Sequence, residues 1–208
     1  MTASADRERL AILVHEVRSP VAALGAIAEA YPDAEPSARR RLVALAAAAC
    51  ASIERVVSDA AVTSVVLEHV DVGQLVERCV SSAALDGGNV RAEVEPELPR
   101  VEADPLRLRQ AIDNLIANAL THAPDGDVLV EARSGKSAVV VSVTDAGAGI
   151  PPHEQERIFQ AGVRLDRTRP GSGLGLAISR AIAEAHGGAL AVDSAPGRGA
   201  TFTLTIPL

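Results

Sequence analysis

Residues 169–188, RPGSGLGLAISRAIAEAHGG, are the stretch on which the fold turns. Gly171, Gly173 and Gly175, with Leu174 between the last two, open a helix whose first amides would otherwise be orphaned. Those amides and the helix dipole together make an anion site. A dinucleotide fingerprint would need GxGxxG directly after a parallel strand, but the spacing here is GxGxG. A Walker loop would need a GK[ST] ending, which is missing. The stretch therefore predicts a phosphate-cradling helix start of some other class.

Upstream, VVVSVTDAGAGIP (139–151) runs an apolar strand into Asp145 and a loop of small residues. An aspartate at a strand end can accept a hydrogen bond from an exocyclic amine such as that of adenine, and Gly147 and Gly149 let the backbone approach a ligand closely. A plain turn is the competing reading of this loop. About twenty residues separate the two glycine motifs, a length typical of a lid. They hold ERIFQ and the cluster Arg164, Arg167 and Arg169. Phe159 is expected to anchor the near end of the lid in the core, and the arginines to reach terminal phosphates.

A helix is predicted from Pro105, a favoured first helical residue, to about Thr121, after an N-cap at Asp104. Gln110, Asn114, Asn118 and His122 recur every four residues and line one face. Asparagine is a poor interior helix residue unless its amide is used, and two at i, i+4 suit a magnesium ion that keeps waters and bridges phosphates. The bland alternative is a solvated polar stripe.

The remaining texture predicts an α+β chain. EHVDV (68–72) reads as a strand before a helix to about Ala84, and VRAEVE (90–95) as a second strand. DVLVEAR pairs with SAVVVSVTD, and ALAVDSA with GATFTLTIPL. A mixed sheet with helices on one face, an α/β sandwich, is the economical arrangement. Residues 1–66 differ. Leu10, Val14, Val17, Val21, Leu24, Ala28 and Tyr31 form one helical seam, and Leu42, Ala46, Ala49, Ile53, Val56, Ala60 and Thr63 a second. Between them YPDAEPS makes a turn, giving an antiparallel hairpin. A lone hairpin cannot hide its stripe, so a homodimeric four-helix bundle is expected. The predicted boundaries are 1–66 and 67–208.

At about 100° per residue, His15 lies well off the first seam and points to solvent, although a satisfied core histidine is the usual reading of a lone His. A helix starting at Ser19-Pro20 would explain the proline, but the seam continues unbroken past it, which predicts a kinked continuous helix. An exposed imidazole beside Glu16 is a competent nucleophile, since the carboxylate can hold the second ring proton.

Composition excludes other classes. A net charge of −7 argues against nucleic acid, and 1% aromatics against a base-stacking surface. Cys50 and Cys79 show neither disulfide nor metal spacing, and both read as buried thiols. No apolar run reaches the ~18 residues of a membrane span, and the first ten residues are too polar for a signal peptide. A soluble cytoplasmic chain is expected.

The ordered set HEVRSP, DNLIANAL, DAGAGIP, ERIFQAG, GSGLGLAIS and GATFTL resembles the H, N, G1, F, G2 and G3 boxes of sensor histidine kinases of two-component systems. The resemblance implies a dimerisation and histidine-phosphotransfer hairpin followed by an ATP-binding domain of the gyrase, heat-shock chaperone and histidine kinase class. His15 matches the phosphoacceptor, Glu16 its activating acid, Asn118 the magnesium ligand with Asn114 helping, Asp145 the adenine-reading aspartate, and Thr201 a residue near the adenine edge. ATP and Mg2+ are the implied cofactors, and the receiver domain of a response regulator the implied partner. Hydrolytic relatives carry a glutamate base where this chain has Asn114, which favours transfer over hydrolysis. Many relatives carry a phosphate-contacting lysine where this chain has Thr121, leaving His122 or a lid arginine to substitute. Ser19 stands where a threonine or asparagine supports phosphatase action. A dimeric nucleotide-binding module that transfers nothing is the alternative.

Overall fold

The structure, a computed structural model, describes residues 17–18, 20–32, 34–62, 65–123, 126–166 and 173–208. The chain divides between residues 63 and 64 into two compact units. In the first, helix α1 (20–30) and a short turn precede α2, Pro36–Val62. Residues 17 and 18 are already helical, so helical backbone does not begin at Pro20. Arg39, in the first turn of α2, braces the turn. Its Nη2 donates to the Pro32 carbonyl at 2.9 Å, and its guanidinium lies 5.5 Å from the Tyr31 ring centroid. Such an exposed cation–π contact contributes about 0.5–1 kcal/mol.

Along α2 the least exposed positions include Leu42, Ala46, Ala49 and Ile53, the stagger expected from the sequence. In α1 the burial falls differently. Pro20, Leu24 and Ile27 are half-buried with Val17, whereas Val21, Ala28 and Tyr31 are exposed. Two apolar stripes overlap on this helix and share Val17 and Leu24, and within one chain only the second is covered. Cys50 is exposed on α2, against the expectation of two buried thiols. Cys79 is buried, and its thiol is pushed up to about 12, by burial first and then by the hydrogen bond and charge of Asp113.

The second unit runs β1 (Glu68–Val70), α3 (Val72–Leu85), β2 (Val90–Val94), β3 (Val101–Ala103), α4 (Pro105–His122), β4 (Val128–Ser134) and β5 (Ala138–Asp145). Two 3-10 turns follow, Pro152–Glu154 and Arg157–Phe159, then α5 (Gly175–Ala185), β6 (Ala189–Ser194) and β7 (Ala200–Pro207). The N-caps of α3 and α4 are aspartates. Asp71 accepts from the Gln74 amide at 3.0 Å, and Asp104 from Leu106 at 3.0 Å and Arg107 at 3.1 Å, with Pro105 at the first helical position. A cap of this kind contributes about 1 kcal/mol.

Five strands form a mixed sheet in the order β2-β4-β5-β7-β6, with β2 parallel to β4 and the other pairs antiparallel. The strand expected at 68–72 stays outside this sheet and pairs antiparallel with β3 as a separate ribbon. Period-two alternation sorts the faces. Val130, Val141, Val143, Phe202 and Leu204 are buried against Val76 of α3, Leu108 and Leu115 of α4 and Ile182 of α5. Ser142, Thr144, Thr201, Thr203 and Thr205 take the opposite, partly exposed face. Helices cover one face, which brings the middle of α4 and the start of α5 to the end of β5.

Candidate active site

A cavity of about 620 Å³ opens there, within the range of small-molecule sites. One wall is α4, whose i, i+4 spacing places Asn114, Asn118 and His122 on the cavity side along with Thr121. Gln110, on the same predicted face, lies outside the lining and takes a hydrogen bond from Arg107 at 3.3 Å. The floor is Asp145 at the end of β5 with Ala200 and Phe202 of β7. Asp145 is 5% exposed, and its Oδ1 accepts the Gly147 amide at 2.8 Å, which orients the carboxylate in the floor.

Gly149 and Gly173 both need to be glycine. Gly149 has φ +72°, and an added Cβ would lie 1.9 Å from the Ala195 carbonyl oxygen. Gly173 has φ +79°, and its Cβ would meet the Val163 oxygen at 2.7 Å. Both stand in a left-handed region that L side chains avoid. Gly175 lines the cavity as the first residue of α5, and its carbonyl takes the Asn114 amide at 3.3 Å and the buried Ser179 hydroxyl at 2.9 Å. Leu174 is the N-cap of α5 and has no capping oxygen, so the first amides of that helix are unclaimed by any cap side chain.

The glycine loop is locked from behind. Ser194 Oγ accepts the Ile150 amide at 2.8 Å, and Gln155 Nε2 donates to the Ile150 and Ser194 carbonyls at 3.2 and 2.7 Å. Phe159 is buried edge-to-face on Phe202, 6.4 Å between centroids, with Arg180 over its other side at 5.2 Å. The near end of the expected lid is thus tied to the core at Phe159. Arg164 lines the cavity beyond it.

Of the residues singled out in the sequence, Asn114, Asn118, His122, Asp145, Gly149, Gly173 and Gly175 converge on the cavity, while Gly147 and Leu174 are outside its lining, the first bonded through its amide to Asp145 and the second at the N-cap of α5. Thr201 does not. Alternation along β7 turns it to the far face, where its hydroxyl meets that of Thr144 at 3.0 Å, and its neighbours Ala200 and Phe202 line the cavity instead. His15, Glu16, Arg167, Arg169 and Gly171 lie outside the described residues. Sequence reasoning missed His153, Glu154, Asp166 and Leu176, which also line the cavity. His153 and Glu154 lie in a short 3-10 turn and Asp166 on the lid margin, where no periodicity marks an inward side chain, and Leu176 is in the first turn of α5.

The arrangement fits a nucleotide with its magnesium. Glu154 Oε1 is held by Arg157 at 2.8 Å, while its Oε2 is buried in the wall region with no hydrogen-bond partner, an orphan of the kind a bound donor or water would satisfy. Among the described residues no three His, Cys, Asp or Glu side chains gather into a metal cage. Amide oxygens such as those of Asn118 and Asn114 suit a hard cation held mostly by phosphates and water.

Residues 103–208 match the family described as histidine kinase-, DNA gyrase B-, and HSP90-like ATPase. The chain is 33% identical over 219 residues to the sensor-like histidine kinase SenX3 of Mycolicibacterium smegmatis, covering 97% of this chain and 57% of that protein. It therefore spans little more than half the length of this curated relative. Among solved structures, full-length ShkA in complex with AMPPNP superposes with a TM-score of 0.71 at 29% identity, over 96% of this chain and 45% of that one. The mycobacterial sensor histidine kinase MprB superposes with a TM-score of 0.61 at 32% identity, over 68% of this chain and 97% of that one.

Proposed function

The chain belongs to the histidine kinase-, DNA gyrase B-, and HSP90-like ATPase family, and from that premise we propose that it is an ATP-dependent protein-histidine kinase of a two-component system. The observation that carries this reading is the convergence of Asp145, Asn118, the left-handed Gly149 and the uncapped start of α5 on one cavity. Asp145 supplies the acceptor for the adenine amine, Gly147 and Gly149 the room for close approach, and the first amides of α5 the anion site for the phosphates. Asn118, with Asn114, would hold magnesium, which neutralises charge on the transferring group. His122, Arg164 and, from the sequence, Arg169 and Gly171 complete the phosphate side.

In the reaction a neutral ring nitrogen of His15 attacks the γ-phosphorus, a new N–P bond forms, and the bond to the β,γ-bridging oxygen breaks to release ADP. Glu16 polarises the ring and takes the displaced ring proton. Such transfer is driven by positioning and charge neutralisation. Asn114 offers no carboxylate to activate water, which supports transfer over hydrolysis. The phosphoryl group then passes from His15 to an aspartate of a response-regulator receiver domain.

The reading includes a homodimer built on the helical unit, residues 1–66, with residues 67–208 as the catalytic domain. Val21 (51% exposed), Val43 (56%) and Leu45 (58%) form apolar surface on that unit that a second copy would cover. Among the described residues no helix is long and apolar enough to cross a membrane. A cytoplasmic location goes with ATP as donor. Incubation with γ-labelled ATP tests the proposal. Label on the chain should be lost in acid and survive alkali, and Asp145→Asn, which turns an acceptor into a donor, should abolish it with circular dichroism unchanged. Nucleotide binding without any label would favour a module that transfers nothing.

A further inference from the structure

Asp104 is 7% exposed, does not line the cavity, and has no part in the mechanism above. Its Oδ1 alone caps α4, accepting the Leu106 and Arg107 amides. A cap needs only one oxygen, and serine or asparagine would serve as well. The second oxygen, Oδ2, accepts the backbone N–H of Val66 at 3.1 Å, 38 residues away, on the segment that begins the second compact unit. The Asp104 backbone N–H in turn donates to His186 Nε2 at 2.8 Å. An amide can only donate, so Nε2 is the acceptor, and Nδ1 carries the proton that it gives to the Ile182 carbonyl at 2.7 Å. His186 is the C-cap of α5.

One residue therefore joins three elements. The helix bearing Asn114 and Asn118 starts at it, the helix that opens with Gly175 at the cavity ends against it, and residue 66 hangs from its spare oxygen. We infer that Asp104 is a positioning residue that clamps the entry segment to both helices of the nucleotide site, so that the segment's placement and the site's geometry move together. The inference rests on the kinase reading for its effect on transfer, and on the hydrogen bonds alone for the clamp itself.

Asp104→Asn keeps a good N-cap at Oδ1 but turns an amide donor toward the Val66 N–H, and Asp104→Ser keeps a cap with an oxygen too short to reach Val66. Both are compared with the parent chain by amide hydrogen exchange at Val66, ATP affinity, and autophosphorylation kinetics. In both variants Val66 exchange should quicken by about tenfold or more, as for loss of one amide hydrogen bond. ATP affinity and KM should stay within roughly twofold while kcat changes by at least about threefold, because positioning rather than binding is disturbed. Unaltered Val66 exchange, or quickened exchange with unaltered kcat, would overturn the inference. A parent chain that binds ATP but labels no residue would sink the kinase reading instead, and Val66 exchange would then decide the clamp by itself.

Discussion

Asp104 and Asp145 are both nearly buried carboxylates. For Asp104, burial works to raise the pKa, but the amides of Val66, Arg107 and Leu106 and the charge of Arg107 outweigh it and hold the carboxyl below its ordinary value. A folded-state pKa below the unfolded one means a stabilisation fully present above the unfolded value, about 3.9, and lost as pH falls through the folded value. Urea titrations at several pH values should show Asp104→Asn less stable than the parent at neutral pH, with the gap closing below about pH 4. A gap independent of pH would mean the carboxylate's charge is irrelevant. Asp145 was legible from sequence because a lone acid at the end of an apolar strand, followed by glycines, has few structural uses. Glu154 was not, since its place in the wall depends on two 3-10 turns with no repeating pattern.

At the scale of elements, the β4–β5 and β6–β7 pairs and the Asp104 cap followed from alternation and turn residues, because each is set by near neighbours in the chain. β1 did not follow, since its joining β3 rather than the main sheet is a long-range choice. Nor did the phase of α1, where the sequence offers two stripes and packing selects one. Thr201 failed for a simple reason: matching a motif does not fix which face of a strand a residue takes, and the alternation of β7 gives the cavity to Ala200 and Phe202. The glycine loop is held by backbone contact. Gly149→Ala would drive a methyl into the Ala195 carbonyl, 1.9 Å from its ideal Cβ, and backbone on both sides cannot yield cheaply. A loss of roughly 2–4 kcal/mol in unfolding free energy is expected, with nucleotide binding lost as well. Stability within about 0.5 kcal/mol of the parent would contradict the locked loop.

The whole molecule is two compact units whose proposed chemistry needs both: a histidine in the first and a nucleotide on the second. The proposed division of labour rests on motifs of different kinds that lie in order along the chain. A homodimer was expected from an unsatisfied stripe; of the exposed Val21, Val43 and Leu45, Val21 belongs to the first seam, while Val43 and Leu45 flank the second. Leu45→Asp should convert a dimer to a monomer in sedimentation, with ATP affinity unchanged; a monomeric parent chain would remove the bundle from the account. The most direct test of the central claim is a comparison of the parent chain with His15→Gln, incubated with γ-labelled ATP after equal ATP affinity has been established for the two. The account predicts acid-labile label on the parent and none on the variant. Label of equal amount on His15→Gln would contradict it.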